Sequence, residues 1–197
     1  MTSQAERRAA TITAIVRAAA KLFTARGFAA TSIDDIAARA GVAKGAVYHH
    51  FESKEQILAR VFEDMTGALA AEVAASAATA SSILDRVECA TLQYLTSIAG
   101  NRFRQVLLID GPAVLGWQKW REVDQRYFSG TMQPPMAGRL RGRVSARELE
   151  AVGHLFTGAI AEAALVCAAS KHRTRTARDL TAALLKMLAP FVGDGRS

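Results

Sequence analysis

TSIDDIAARAGVAKGAVYHHFESKE, residues Thr31 to Glu55, reads as two short amphipathic helices joined at Gly41. Thr31 or Ser32 stands where a helix wants an N-cap hydroxyl. Asp34 and Asp35 fall in the first turn, against the positive end of the helix dipole. Ile33, Ile36 and Ala37 form the apolar face. Gly41 allows the backbone that ends this helix, and Val42 returns to the core. The spacing predicts a second helix over 44–51. It buries Val47 and Phe51, one turn apart, and shows Lys44, Gly45, Tyr48 and His49 on its other face. That is the pattern of a helix-turn-helix, whose second helix enters the DNA major groove.

The flanks extend the pattern. Ile12, Ile15, Val16, Ala19, Leu22 and Phe23 make one helical stripe, ended by Gly27. A further helix opens near Lys54 and carries Ile57, Leu58, Val61, Phe62, Met65, Leu69 and Val73; its end lies in the Ala/Ser-rich patch 74–82. Ser82 with Asp85, Ser145 with Glu148, and Thr176 with Asp179 are candidate capping boxes for three later helices. Gly100-Asn101 breaks the first of these, and Phe103–Ile109 reads as a short helix stopped by Asp110-Gly111-Pro112. The next helix is expected over 113–128, then a loop over 130–143, and a frayed tail over 193–197. Abundant Ala and few β-branched runs favour an all-α fold of about nine helices.

The net charge of +7 suits a polyanionic partner. Up to Lys54, eight Lys or Arg face four Asp or Glu, a surplus of +4. Two further basic clusters, Arg139, Arg141, Arg143, Arg147 and Lys171, Arg173, Arg175, Arg178, fall in expected loops, where solvated charge is the ordinary reading. The two cysteines, Cys89 and Cys167, are far apart in apolar helical patterns and read as buried reduced thiols. No uninterrupted apolar run reaches ~18 residues, and the first ten residues lack a signal-like apolar stretch. A cytoplasmic protein without membrane association is expected.

These residues resemble the N-terminal domain of the TetR family of bacterial transcription regulators. The likeness rests on Ala18-Ala19, Leu22-Phe23, Gly27-Phe28, Asp35-Ile36-Ala37 and Ala40-Gly41-Val42. Lys44-Gly45, Tyr48-His49-His50-Phe51 and Ser53-Lys54-Glu55 complete it. The resemblance implies a TetR-like architecture: a three-helix DNA-binding domain over 1–53 and a helical effector-binding and dimerisation domain over 54–197. It implies DNA contacts at Thr31, Ser32, Lys44, Gly45, Tyr48, His49 and Lys54. It places an apolar effector pocket between the fourth and seventh helices, with Phe62, Met65, Leu69, Leu92, Phe103, Leu107, Trp117, Trp120 and Phe128 as candidates. The last two helices pair with a second copy in that family; Gly153, Phe156, Thr157, Ile160, Ala164, Leu184 and Leu188 are the interface candidates here. Ala43 and Ala46 depart from the family, which often has Ser or Thr there, so the recognition helix lacks a side-chain cap.

The partners expected are a double-stranded, pseudo-palindromic DNA operator, a second copy of the chain and a small, largely apolar effector. No cofactor is expected. His49, His50, His154 and His172 form no metal-ligand pattern. Nucleophile elbow, phosphate loop and CxxC are absent from the sequence, which argues against an enzyme. The alternative reading is a DNA-binding regulator without a small-molecule effector, its C-terminal domain serving dimerisation or a protein partner.

Overall fold

The computed structural model describes the backbone of residues 3–140 and 145–192, and the side chains of these except 129–140, 146, 149 and 190–192. Among the described residues there are nine α-helices, one π-helical segment and no strand. The helices are α1 Gln4–Arg26, α2 Ile33–Ala40, α3 Lys44–His50, α4 Lys54–Ala77, α5 Ile83–Ile98, α6 Gly111–Leu115, α7 Trp117–Leu140, α8 Ala146–Ala169 and α9 Arg173–Val192. The π-helical segment is Arg104–Asp110.

The chain forms two compact units, Met1–Thr66 with Asn101–Arg121, and Gly67–Gly100 with Glu122–Ser197. The division expected at 53/54 separates the DNA reader from the rest by task. Compactness draws another line, because the start of α4 and the segment Asn101–Arg121 pack with the reader.

In the first unit, Ser3 and Glu6 close a reciprocal capping box that starts α1. Gly27, at φ +81°, ends it. Ser32 and Asp35 do the same for α2, and Gly41 ends it in the left-handed conformation at φ +70°. Ala43 precedes α3 without a side-chain cap, as its identity dictates. Ile15, Phe23, Ile36, Val47, Ile57 and Leu58 are fully buried and tie α1 to α4 into one core. Each such side chain contributes roughly 1.5–3 kcal/mol by leaving water.

The corner after Gly100 corrects the expected boundaries. Asp110-Gly111-Pro112 does not stop a helix; the π-helical segment runs directly into α6, where Pro112 sits in the first turn. Proline is tolerated there because a first-turn N–H has no partner within the helix. The break falls instead at Gly116, at φ +85°, a backbone state that favours glycine, and α7 begins at Trp117 rather than Ala113. Nor does α7 end at Gly130 or Pro134-Pro135; its backbone is helical to Leu140. Breaker residues raise the cost of a helix without forbidding it, since the turns on either side keep their own hydrogen bonds.

In the second unit, α5 packs on α8 and α9, and α8 on α9. Leu95, Ala164, Cys167 and Leu188 are completely or almost completely buried there. Ser145 and Glu148 form the expected capping box. Ser82 accepts from the Asp85 N–H at the start of α5. The third expected box is displaced: α9 begins at Arg173, three residues before Thr176. Ser170 orders this start, since its hydroxyl accepts from the His172 N–H and bonds the Thr176 hydroxyl at 2.8 Å. Arg173, Arg175 and Arg178 therefore lie on α9 and not in a loop. Arg147 belongs to α8. Arg139 lies within α7, while Arg141 and Arg143 lie outside the described residues, as does the tail over 193–197.

Candidate nucleic-acid interface

The start of α2 is a charge-compensated helix N-terminus. The Asp35 carboxylate accepts from the Ser32 N–H at 2.9 Å and from its hydroxyl at 2.6 Å, and it pairs with Arg26. The Ser32 bonds, with Arg26 behind them, hold the Asp35 carboxyl below the usual carboxylate range. Asp34 pairs with Lys44 across the turn at 2.9 Å, and this contact raises the Lys44 ammonium above its ordinary value. Both acids of the first turn are thus met by cations, and the dipole end is not neutralised for an incoming anion. The donors that remain for a phosphate are the backbone N–H groups of Ile33 and Asp34, because Ser32 already spends its N–H and its hydroxyl proton on Asp35.

Each predicted DNA residue has a distinct setting. Thr31 is buried at 1 % exposure, and its hydroxyl donates to the Gly27 carbonyl at 2.8 Å. It staples the α1–α2 loop. Ser32 caps α2 at the surface. Lys44, Gly45, Tyr48 and His49 are all exposed, Tyr48 to 52 %. A Cβ at Gly45 would meet nothing within 4 Å, so that stretch of α3 is open to close approach. Val47 on the opposite face is fully buried and fixes the helix to the core. Lys54 is less exposed than expected of a phosphate-seeking lysine. Its ammonium donates to the Phe28 carbonyl at 2.9 Å and the Thr31 carbonyl at 2.8 Å, and lies 4.0 Å from the centre of the Phe28 ring. One of its three N–H donors is left for another acceptor.

His50 is half-buried, with its Nδ1 enclosed and without a protein partner, and its ring meets His49 edge-on at 5.0 Å. Burial first, then the charges of His49 and Arg8, lower its pKa.

Three features were not legible in the residue pattern. The Asp34–Lys44 pair joins positions ten apart across the turn. Asp110 bonds the α1–α2 loop from a distant segment. Arg17, Lys21 and Arg39 line an open groove of about 390 Å³ between α1 and α2, and no acidic residue shares it. Only the four-residue spacing of Arg17 and Lys21 hinted at this last cluster.

The pocket candidates fall in both units. In the first, Phe62, Phe103, Leu107 and Trp120 are core residues. The Trp120 indole donates to the Leu107 carbonyl at 2.9 Å, and Trp117, 54 % exposed, stacks on Trp120. Met65 lines a groove against α1. In the second, Leu69 is buried, Leu92 half-buried, and Phe128 meets Tyr94 edge-on at 5.1 Å.

Of the interface candidates, Phe156, Ile160, Ala164, Leu184 and Leu188 are buried within the chain, and Gly153 and Thr157 are half-buried. The apolar face that α8 and α9 leave exposed is another one: Leu155 at 75 %, Leu165, Val166 and Met187 at 64 %. Glu150–Ala169 of α8 is long and apolar enough to cross a membrane by length and composition, despite Glu150 and Glu162, and 33 % of it is buried.

Comparison with known proteins agrees with this architecture. A family model described as bacterial regulatory proteins, tetR family, matches residues 15–61. One described as the tetracyclin repressor-like C-terminal domain matches residues 84–191. The Tn10 TetC protein of Escherichia coli is 28% identical over 127 residues, 64% of each chain. The chain spans less than a third of the length of the next curated relatives. A TetR-family transcriptional regulator from Pectobacterium atrosepticum superposes with a TM-score of 0.79 at 29% identity, covering 99% of this chain and 100% of that one. FadR from Bacillus subtilis, solved with stearoyl-CoA, shares the fold at 16% identity with a TM-score of 0.71, over 92% of this chain and 99% of that one. With a helix-turn-helix that leaves Gly45 and Tyr48 open and family models that match both halves, the chain belongs to the TetR family of bacterial regulatory proteins.

Proposed function

We propose that this chain is a homodimeric transcriptional repressor that reads a pseudo-palindromic operator and is released by a small, largely apolar effector. The observation that carries the DNA reading is the open face of α3. Lys44, Gly45, Tyr48 and His49 are exposed together beside a helix start whose two acids are already paired. Ile33 and Asp34 amides receive a phosphate, Lys44 adds charge while bound to Asp34, and Tyr48 and His49 approach base edges or backbone. Two copies present their α3 helices to successive major grooves about 34–36 Å apart.

Dimerisation is supported by Leu155, Leu165 and Val166 of α8 and Met187 of α9, large apolar side chains that the single chain leaves exposed. The effector reading is supported by the family and by FadR, whose structure holds stearoyl-CoA. Release follows by population shift: a ligand favouring the state that does not bind DNA works through a coupling of ~1–3 kcal/mol.

The test is selection of genomic fragments by the purified protein at physiological salt, read by sequencing. Recovery of a few fragments sharing one inverted repeat supports the reading; sequence-blind retention alone refutes it. On the recovered operator, Lys44→Ala is expected to flatten the salt slope by ~1 with about equal losses across sequences. Lys54→Ala is expected to lose more, because it also strips two loop carbonyls of their donor. Equal losses in the two variants would reduce Lys54 to a simple charge. Gly45→Leu is expected to leave folding intact, or to gain up to ~1 kcal/mol from helix propensity, while operator affinity falls at least about tenfold as the side chain blocks approach. Unchanged affinity would mean that Gly45 faces away from DNA.

A further inference from the structure

Phe28 lies between two opposite charges. Its N–H donates to the Asp110 carboxylate at 2.9 Å, and its carbonyl accepts from the Lys54 ammonium at 2.9 Å. The same ammonium holds the Thr31 carbonyl, one residue before the Ser32 cap of α2. Asp110 is only 9 % exposed, and its second oxygen accepts from the Gln105 side chain at 3.1 Å. Its two recorded bonds thus come from neutral N–H donors, and neither is an ion pair. Burying a carboxylate on neutral donors is costly, and a neutral Asn would cap the same amide at less cost.

The carboxylate also stands at a place that admits little movement. Asp110 is the last residue of the π-helical segment, and Gly111 after it touches the Phe62 ring so closely that a Cβ would come within 2.5 Å of it. Lys54 is the first residue of α4, and Phe62 lies two turns further along the same helix. The loop between α1 and α2 is therefore gripped from one side by the start of α4 and from the other by the Asp110 corner. That loop ends at the α2 N-terminus.

We propose that Asp110 is a positioning residue for DNA binding: its carboxylate and the Lys54 ammonium clamp Phe28, and so set where the α2 N-terminus meets a DNA phosphate. The assignment rests on the DNA reading given under Proposed function. Asp110 touches neither base nor phosphate itself; it acts through Phe28, while Lys54 holds Thr31. A change that moves the corner or the start of α4 moves the phosphate-binding amides of Ile33 and Asp34.

The test compares full-length wild type, Asp110→Ala and Asp110→Asn. Operator affinity is measured on the active fraction, counted by stoichiometric titration, beside amide hydrogen exchange over Phe28–Asp34 and the melting temperature. Asp110→Ala is expected to speed exchange in the loop and weaken the operator about tenfold. Asp110→Asn keeps an acceptor for the Phe28 N–H and is expected to recover most of that affinity. A lowered melting temperature with unchanged operator affinity of the active fraction overturns the proposal and makes Asp110 a purely structural residue. Unchanged loop exchange in Asp110→Ala overturns it as well. If Asp110→Ala does not fold, Gln105→Ala carries the comparison: it removes the one bond to the second carboxylate oxygen and so loosens the clamp, and wild-type loop exchange with wild-type operator affinity overturns the assignment. Failure of the DNA reading itself is seen separately, as wild type that retains no specific fragment.

Discussion

Gly111→Ala is expected to destabilise the first unit by about 1–3 kcal/mol, the range for overfilling a packed site. The added Cβ would lie 2.5 and 2.6 Å from two ring carbons of Phe62 and 2.9 Å from the Val106 carbonyl. Phe62 is 2 % exposed, so its ring has no solvent to swing into, and Val106 contributes rigid backbone. Relief requires the π-helical turn or α4 to shift. Urea unfolding reads the effect as a lower midpoint at unchanged slope. Gly45→Ala is the control, since a Cβ there meets nothing within 4 Å. A wild-type midpoint in Gly111→Ala would show that the corner yields freely, which would also weaken the case for Asp110 as a fixed clamp.

Leu155→Glu combined with Leu165→Glu is expected to give a monomer whose operator affinity falls by about 10²–10⁴, the usual worth of a second linked contact. Both side chains lie on α8, exposed to 75 % and 48 % in the single chain, so the substitutions do not disturb its own core. Charge on that face would remove the apolar burial that the proposed second copy would supply. Sedimentation equilibrium and operator titration read the two effects together. A variant that stays dimeric would move the interface to another surface; a monomer with full operator affinity would remove the two-fold operator from the reading.

The interface candidates show where residue patterns stop being informative. Gly153, Phe156, Thr157 and Ile160 follow helical spacing on α8, and small residues there permit close helix approach. A helix in this unit offers apolar residues to two sides, to α5 and α9 and to the exterior. Periodicity registers both stripes and does not say which faces inward. Burial does: Phe156, Ile160 and Ala164 face the chain's own core, while Leu155, Leu165 and Val166 do not.

Local rules carried the reader far. A cap at Thr31 or Ser32, the helix end at Gly41, Val47 inward and Gly45 on the open face were legible in Thr31–Glu55, because caps, turns and amphipathic faces are decided within a few residues; the structure chose Ser32 and paired it with Asp35. They were less reliable downstream. Asp110-Gly111-Pro112 looks like a stop, yet Pro112 fits a first helical turn, and Gly116 carries the break. Thr176 looks like a cap, yet Ser170 orders the start of α9.

By itself the amino-acid sequence determined the all-helical class, the helix-turn-helix and its outward face, since those depend on period, capping and composition over neighbouring positions. Tertiary structure alone decided that Lys54 is spent largely on the Phe28 and Thr31 carbonyls, that Asp34 pairs with Lys44, and that a carboxylate 82 residues away holds the loop before α2. Each of these is a polar contact between residues distant along the chain, and hydrogen bonds of that kind leave no periodic trace from which they could be read.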